Sequence, residues 1–362
     1  MASLESHRLS ALVQKVPVII LILVLYCSGC RFTYVLHAAS HQYRLIHDSV
    51  KVEDALKSDL LESDYKTRLR LVAAIKDFGE KELGLKKTQN YESIYIETDQ
   101  PPVYVVSACP KDRLVRTLWW FPIVGNMPYL GFFNLESAKE ERERLIKKRL
   151  DVSIGVAEAY STLGWFKDPV TLSLLKRSTV ELTETILHEM THTTMFIKDQ
   201  AEFNEGLANL VGKVGALFFM RKTFGNDHPF TIEAENNLAD ERIFSSFLAS
   251  LLEKLESLYN SDIAYQEKLV ERERIFTASL KEFEGIRSGF KTNRFNGFGE
   301  TGLNNAYLMS IGLYNRHFKL FESVLKKNEN SVDKMLNYYR NMIDEDGDMM
   351  ERIKAFSSLP QG

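Results

Sequence analysis

His188-Glu189-Met190-Thr191-His192 constrains this chain more than any other stretch, because two imidazoles and a carboxylate stand at a spacing that only a helix makes useful. Residues four apart lie one turn from each other on one helix face, so both rings can converge on a single small cation. Glu189 is too close in sequence to share that geometry and can act instead as a base toward water. Two neutral imidazoles, a vacant coordination position and an adjacent carboxylate are what zinc-assisted hydrolysis requires.

The surroundings favour a helix. Ser178 stands three residues before Glu181, a capping-box spacing, and Leu182, Ile186 and Met190 recur as an apolar stripe. No Pro or Gly interrupts 178 to 198, which places both histidines mid-helix. Their apolar flanks argue against a merely solvated face. A third ligand is available after the polar break Lys198-Asp199-Gln200, where Glu205 opens a second helical pattern through Leu207, Leu210, Val211 and Val214. Twelve residues separate His192 from Glu205, enough for one reversal. Glu202, placed in the connection, is the rival ligand.

The resemblance to known families starts here. An Asn-Glu-x-x-Ala run (Asn204 to Ala208) after His-Glu-x-x-His is similar to the gluzincin metallopeptidases. Tyr160-Ser161-Thr162-Leu163-Gly164-Trp165-Phe166-Lys167-Asp168-Pro169-Val170 resembles a signature of the bacterial predicted aminopeptidase family, whose members are envelope proteins with a His-Glu-x-x-His site. Blocks at 121–133, 77–85, 203–205 and 303–306 fit the same family. Asn126 and Leu130 depart from its pattern, where a Cys and an Arg are usual.

The resemblance implies a metallopeptidase with zinc held by His188, His192 and Glu205 and with Glu189 as general base. An oxyanion also needs a donor. Tyr160 and Tyr314 are the leading candidates, with Tyr307 and His317 behind them. Tyr160 belongs to a segment, 155–166, that lies where zincins place the strand pairing with substrate. An aminopeptidase must bind a free ammonium, for which Glu202 and Glu158 are available. The alternatives are an envelope endopeptidase and a non-catalytic zinc-binding lipoprotein.

The amino terminus reads as a targeting segment. Arg8 and Lys15 precede an apolar run from Val16 to Cys27, too short for a comfortable span and suited to a secretory core. Ser28-Gly29-Cys30 resembles a lipobox, implying cleavage before Cys30, lipid on its sulfur, and a membrane-anchored chain in the bacterial cell envelope. Cys109 is then the only other cysteine of the mature protein, in an apolar strand pattern where an inert core thiol is expected. A formal net charge of −3 gives no electrostatic case for nucleic acid; peptide or protein is the expected substrate.

Beyond the metal motif, helical patterns run from 52 to 83, ended by Gly84, and from 136 to 149. Strands are expected at 93–98, 103–108, 119–124 and 152–157, and long helices fill 230–283 and 304–354 around a Gly-rich aromatic loop at 284–302. The expected fold class is α+β, predominantly helical: a zincin-like core with a small mixed sheet and additional C-terminal helices. The expected divisions are a lipoprotein signal peptide (1–29), an N-terminal helical region (30–100), the catalytic core (101–225) and a helical C-terminal region (226–362) walling the cleft.

Overall fold

The computed structural model describes residues 47–96, 103–121, 125–156, 167–343 and 347–358. The amino-terminal segment with Cys30, and the 157–166 segment with Glu158 and Tyr160, lie outside the described residues. The chain from Val50 onward forms one compact unit.

That unit is predominantly helical with small sheets. It opens with strand β1 (Val50–Lys51) and helices α1 (Val52–Lys57) and α2 (Ser63–Glu82), then β2 (Ser93–Tyr95) and β3 (Tyr104–Pro110). Next come β4 (Trp119–Phe121), β5 (Gly125–Met127), β6 (Leu130–Phe132), α3 (Leu135–Ile146), β7 (Leu150–Val156), β8 (Val170–Thr171) and the short α4 (Leu172–Leu175). The helical remainder comprises α5 (Thr179–Thr194), α6 (Ala201–Phe224), α7 (Pro229–Tyr259), α8 (Tyr265–Ile286), α9 (Asn305–Asn315), α10 (Phe318–Lys327), α11 (Val332–Ile343) and α12 (Met349–Ser358).

Among the described residues the strands fall into three small sheets rather than one. The first, β1-β2-β8, is mixed: β2 runs antiparallel to β1 and parallel to β8. In the second, β3 lies between β6 and β7, antiparallel to both and in register with β7 along its whole length from Tyr104–Val156 to Pro110–Leu150. The third is the β4–β5 pair. The helical pattern over 52–83 is built as two helices, because Ser58 adopts extended backbone (ψ 168°) and turns its hydroxyl back to the Ala55 carbonyl. Gly84 ends the second with φ +68°, a conformation that a side chain would strain.

One apolar cluster draws residues from Ala55 through Leu182, Ile186 and Phe203 to Ile353, so the metal-motif helix is built into the main core. Its stripe (Leu182, Ile186, Leu187) is wholly buried. A second cluster forms where the 284–302 segment turns its aromatics inward: Phe295 stacks on Phe244 at 4.0 Å, and Phe298 packs on Phe283 and Phe247. This explains why a loop carries so many aromatic rings.

Helix α9 is fixed against the second sheet by its capping residue, Asn304, and its first residue, Asn305. The Asn305 amide donates to Asp151 on β7 (3.1 Å), its side chain to the Pro110 carbonyl (2.9 Å), and the Asn304 side chain to the Val152 carbonyl (3.3 Å). Arg272 of α8 closes the same corner on Asp151 at 2.7 Å. The far end of α9 then reaches the histidines.

Candidate metal centre

Helix α5 starts with the capping box that the spacing predicts. Ser178 accepts from the Glu181 amide and Glu181 accepts from the Ser178 amide, both at 3.2 Å, satisfying two otherwise orphaned donors. It ends at Thr194 rather than continuing to 198. The hydroxyls of Thr193 and Thr194 both turn back to the Met190 carbonyl, and Met195 is extended. The chain then reverses within six residues, from 195 to 200.

Asn204 closes that reversal. Its side chain donates to the Ile197 carbonyl (2.7 Å) and accepts from the Ile197 amide (2.9 Å), while being almost wholly buried. Helix α6 therefore begins at Ala201, earlier than the pattern implies, so Glu202 sits in its first turn and not in the connection. Gly212 lets the two helices run close together: a Cβ there would lie 2.7 Å from the Glu184 carbonyl oxygen.

These constraints bring three side chains to one point. The Nε2 atoms of His188 and His192 face each other at 3.1 Å, and Glu205 Oε2 lies 3.4 Å from the first and 3.6 Å from the second. This is the group, among the described residues, that could hold a metal ion. The site is largely sheltered, with His192 only 4% exposed and Glu205 13%. Burial opposes charge on both partners, yet the Glu205 carboxylate raises His192, and the two imidazoles hold Glu205 well below the usual carboxylate range.

Glu189 is half-buried beside this group. Its negative charge contributes to raising His192 and, after burial itself, to pushing the Tyr91 phenol well upward. Tyr91 is itself buried, carries φ +65°, and its amide donates to the Asp168 carbonyl (2.8 Å). No local signal in the sequence marks it.

Tyr314 arrives from α9 with its ring centre 6.1 Å from that of His188. Tyr307, two turns earlier, packs instead on Phe298 in the aromatic cluster. Glu202 does not join the metal group: Arg116 holds one oxygen at 2.5 Å and His317 lies 3.5 Å from the other. Burial works against its charge, but His317 and Arg116 keep the Glu202 carboxyl well below its ordinary value. Arg116 also donates to the Met309 carbonyl, tying the segment before β4 to α9. A carboxylate so paired offers an incoming ammonium less net charge than an isolated one. Cys109 is fully buried, its thiol directed to the Arg113 and Val115 carbonyls, and burial pushes it up to about 12, as an inert core thiol requires.

His188, His192 and Glu205, carried on paired helices, thus form a sheltered group that could hold a metal ion. The family model described as "Putative aminopeptidase" matches residues 33–354, and the chain belongs to that family. No curated protein and no solved structure matches it.

Proposed function

We propose that this chain is a zinc-dependent peptidase of the bacterial envelope, built on a zincin-like core of gluzincin type. The observation that carries the reading is the convergence of His188 Nε2, His192 Nε2 and Glu205 Oε2 within 3.6 Å of one another. The donor set fits the ion: tetrahedral zinc with bonds of about 2.0–2.1 Å has ligand–ligand edges of about 3.3 Å. Three protein ligands also leave a position open, whereas purely structural sites are closed by four.

A zinc ion at this point would make water acidic near neutral pH and polarise the scissile carbonyl. Glu189 takes the proton from the attacking water as its oxygen bonds to the carbonyl carbon. The same carboxyl then returns that proton to the amine nitrogen as the C–N bond breaks. Tyr314 supplies a hydroxyl donor to the carbonyl oxygen, where charge develops.

Aminopeptidase specificity follows the family description. Since Glu202 is engaged by Arg116, an endopeptidase remains the second reading. The lipobox-like Ser28-Gly29-Cys30 supports a lipid anchor at Cys30 and hence an envelope location. One experiment addresses activity: digestion of amino-blocked and free peptides by wild type, by wild type with chelator, and by Glu189→Gln. Chelation and the substitution should each abolish turnover while the variant keeps its metal. Full turnover by Glu189→Gln would remove the assigned base. Membrane recovery of wild type but not of Cys30→Ala checks the anchor.

A further inference from the structure

Beside the three candidate ligands lies a polar chain, buried at Glu184, Lys213 and Glu241 and reaching the surface at Arg294, that the proposed chemistry does not use. Glu184 is one turn before His188 on α5 and accepts from Arg294 (2.8 Å) and Lys213 (3.4 Å) through the same oxygen. Lys213, only 3% exposed, is shared with Glu241 of α7 at 3.2 Å. Glu241 accepts from Asn209 at 3.5 Å, and Asn209, one turn after Glu205 on α6, also donates to the Tyr314 carbonyl at 2.9 Å. The chain thus begins one turn from one ligand, ends one turn from another, and finishes on the tyrosine whose ring packs on His188. Two acids balance two bases. Glu241 Oε2 is buried and lies opposite Lys213 without a well-aligned hydrogen bond, so the chain has no slack to absorb a lost member.

Arg294 is the only one of the four charged members contributed by a loop. That loop is itself held: wholly buried Asp240 accepts from the amides of Lys291 (2.8 Å) and Thr292 (2.7 Å) and from the Thr292 hydroxyl (2.7 Å), and Phe295 is stacked on Phe244. We infer that Arg294 is a positioning residue: a pre-organised loop delivers its guanidinium to Glu184 and thereby fixes α5 against α6 at the spacing the metal ligands need. The inference rests on the zinc reading above. Lysine can reproduce the charge but not the planar fork, so Arg294→Lys should recover only part of what Arg294→Gln loses.

The test is zinc affinity by chelator competition, at a temperature where circular dichroism shows each variant folded, together with kcat and KM on a free peptide. Arg294→Gln should weaken zinc binding by about tenfold, the lower end for residues that support metal ligands, and lower kcat more than KM. Arg294→Lys should fall between it and wild type. A folded Arg294→Gln with wild-type zinc affinity and kcat overturns the inference alone, whereas wild type that takes up no zinc overturns the zinc reading with it. If Arg294→Gln does not fold, Thr292→Val, which removes one of the three bonds to Asp240, should weaken zinc binding in the same direction; no change there also overturns it.

Discussion

Tyr314 is the proposed oxyanion donor that the described residues place beside the histidines, its ring meeting that of His188 from a helix anchored on the second sheet. Removing only its hydroxyl keeps that packing and deletes the donor. Tyr314→Phe is expected to lower kcat about 10²-fold with little change in KM, the usual size for one oxyanion donor; steady-state kinetics read this, and an unchanged kcat would discard the assignment. The three side chains that the structure brings together were legible in the sequence as candidate ligands. His188 and His192 are related by helix spacing alone, and Glu205 follows within a reversal too short to send it elsewhere. The partners of Glu202 were not legible, since Arg116 and His317 stand 86 residues before it and 115 after it in the chain and only the fold joins them. Glu184 and Asn209 left a fainter signal, each one turn from a ligand. Nothing in that spacing names Lys213 and Arg294 as the partners of Glu184, or Glu241 as that of Asn209.

At the scale of elements, the pairing of α5 with α6 decides whether His188, His192 and Glu205 meet. A close point is Gly212, where a side chain would press on the Glu184 carbonyl, a backbone atom that can retreat only by moving α5. Gly212→Val should cost about 1–3 kcal/mol, as overpacked contacts do. Gly285, where an added Cβ would meet nothing within 4 Å, is the control: Gly285→Ala should be neutral or slightly stabilising. Denaturant unfolding of the two variants compares them, and equal stabilities would mean that the helices are not held at this distance. Helix ends were less readable than helix centres. The stop at Thr194 comes from two threonine hydroxyls competing for one carbonyl, and the start at Ala201 from Asn204 bridging back to Ile197. Periodicity describes faces and is silent on such local side-chain bonds. The division of the strands into three sheets was hidden for a related reason: β2 pairs with β8 across more than seventy residues, a choice made by packing.

Across the whole molecule, paired carboxylates set the response to acid. Glu184, Glu202 and Glu322 all lie below their ordinary values. Burial opposes their charge in each case, but cations prevail: Lys213 and Arg294 on the first, His317 and Arg116 on the second, Arg242 and Lys326 on the third. Glu233, raised by burial, acts in the opposite sense. A carboxylate depressed in the folded state contributes stability above its unfolded value, near 4.3, and loses that contribution as pH falls toward the folded one. The contribution of these carboxylates to the unfolding free energy is therefore expected to be nearly level above about pH 5 and to decline steadily below about pH 4. The raised His192 contributes stability below its unfolded value that is lost as pH rises through the folded one. No decline down to about pH 3 would show that the carboxylate pairs contribute nothing. The most direct measurement of the central claim is metal analysis of the purified chain with X-ray absorption at the bound ion. One zinc per chain, with two imidazole nitrogens and carboxylate oxygen in its shell and loss of the metal in His188→Ala and Glu205→Ala, is the result expected. A chain that retains no stoichiometric metal, or one whose metal survives both substitutions unchanged, would contradict it.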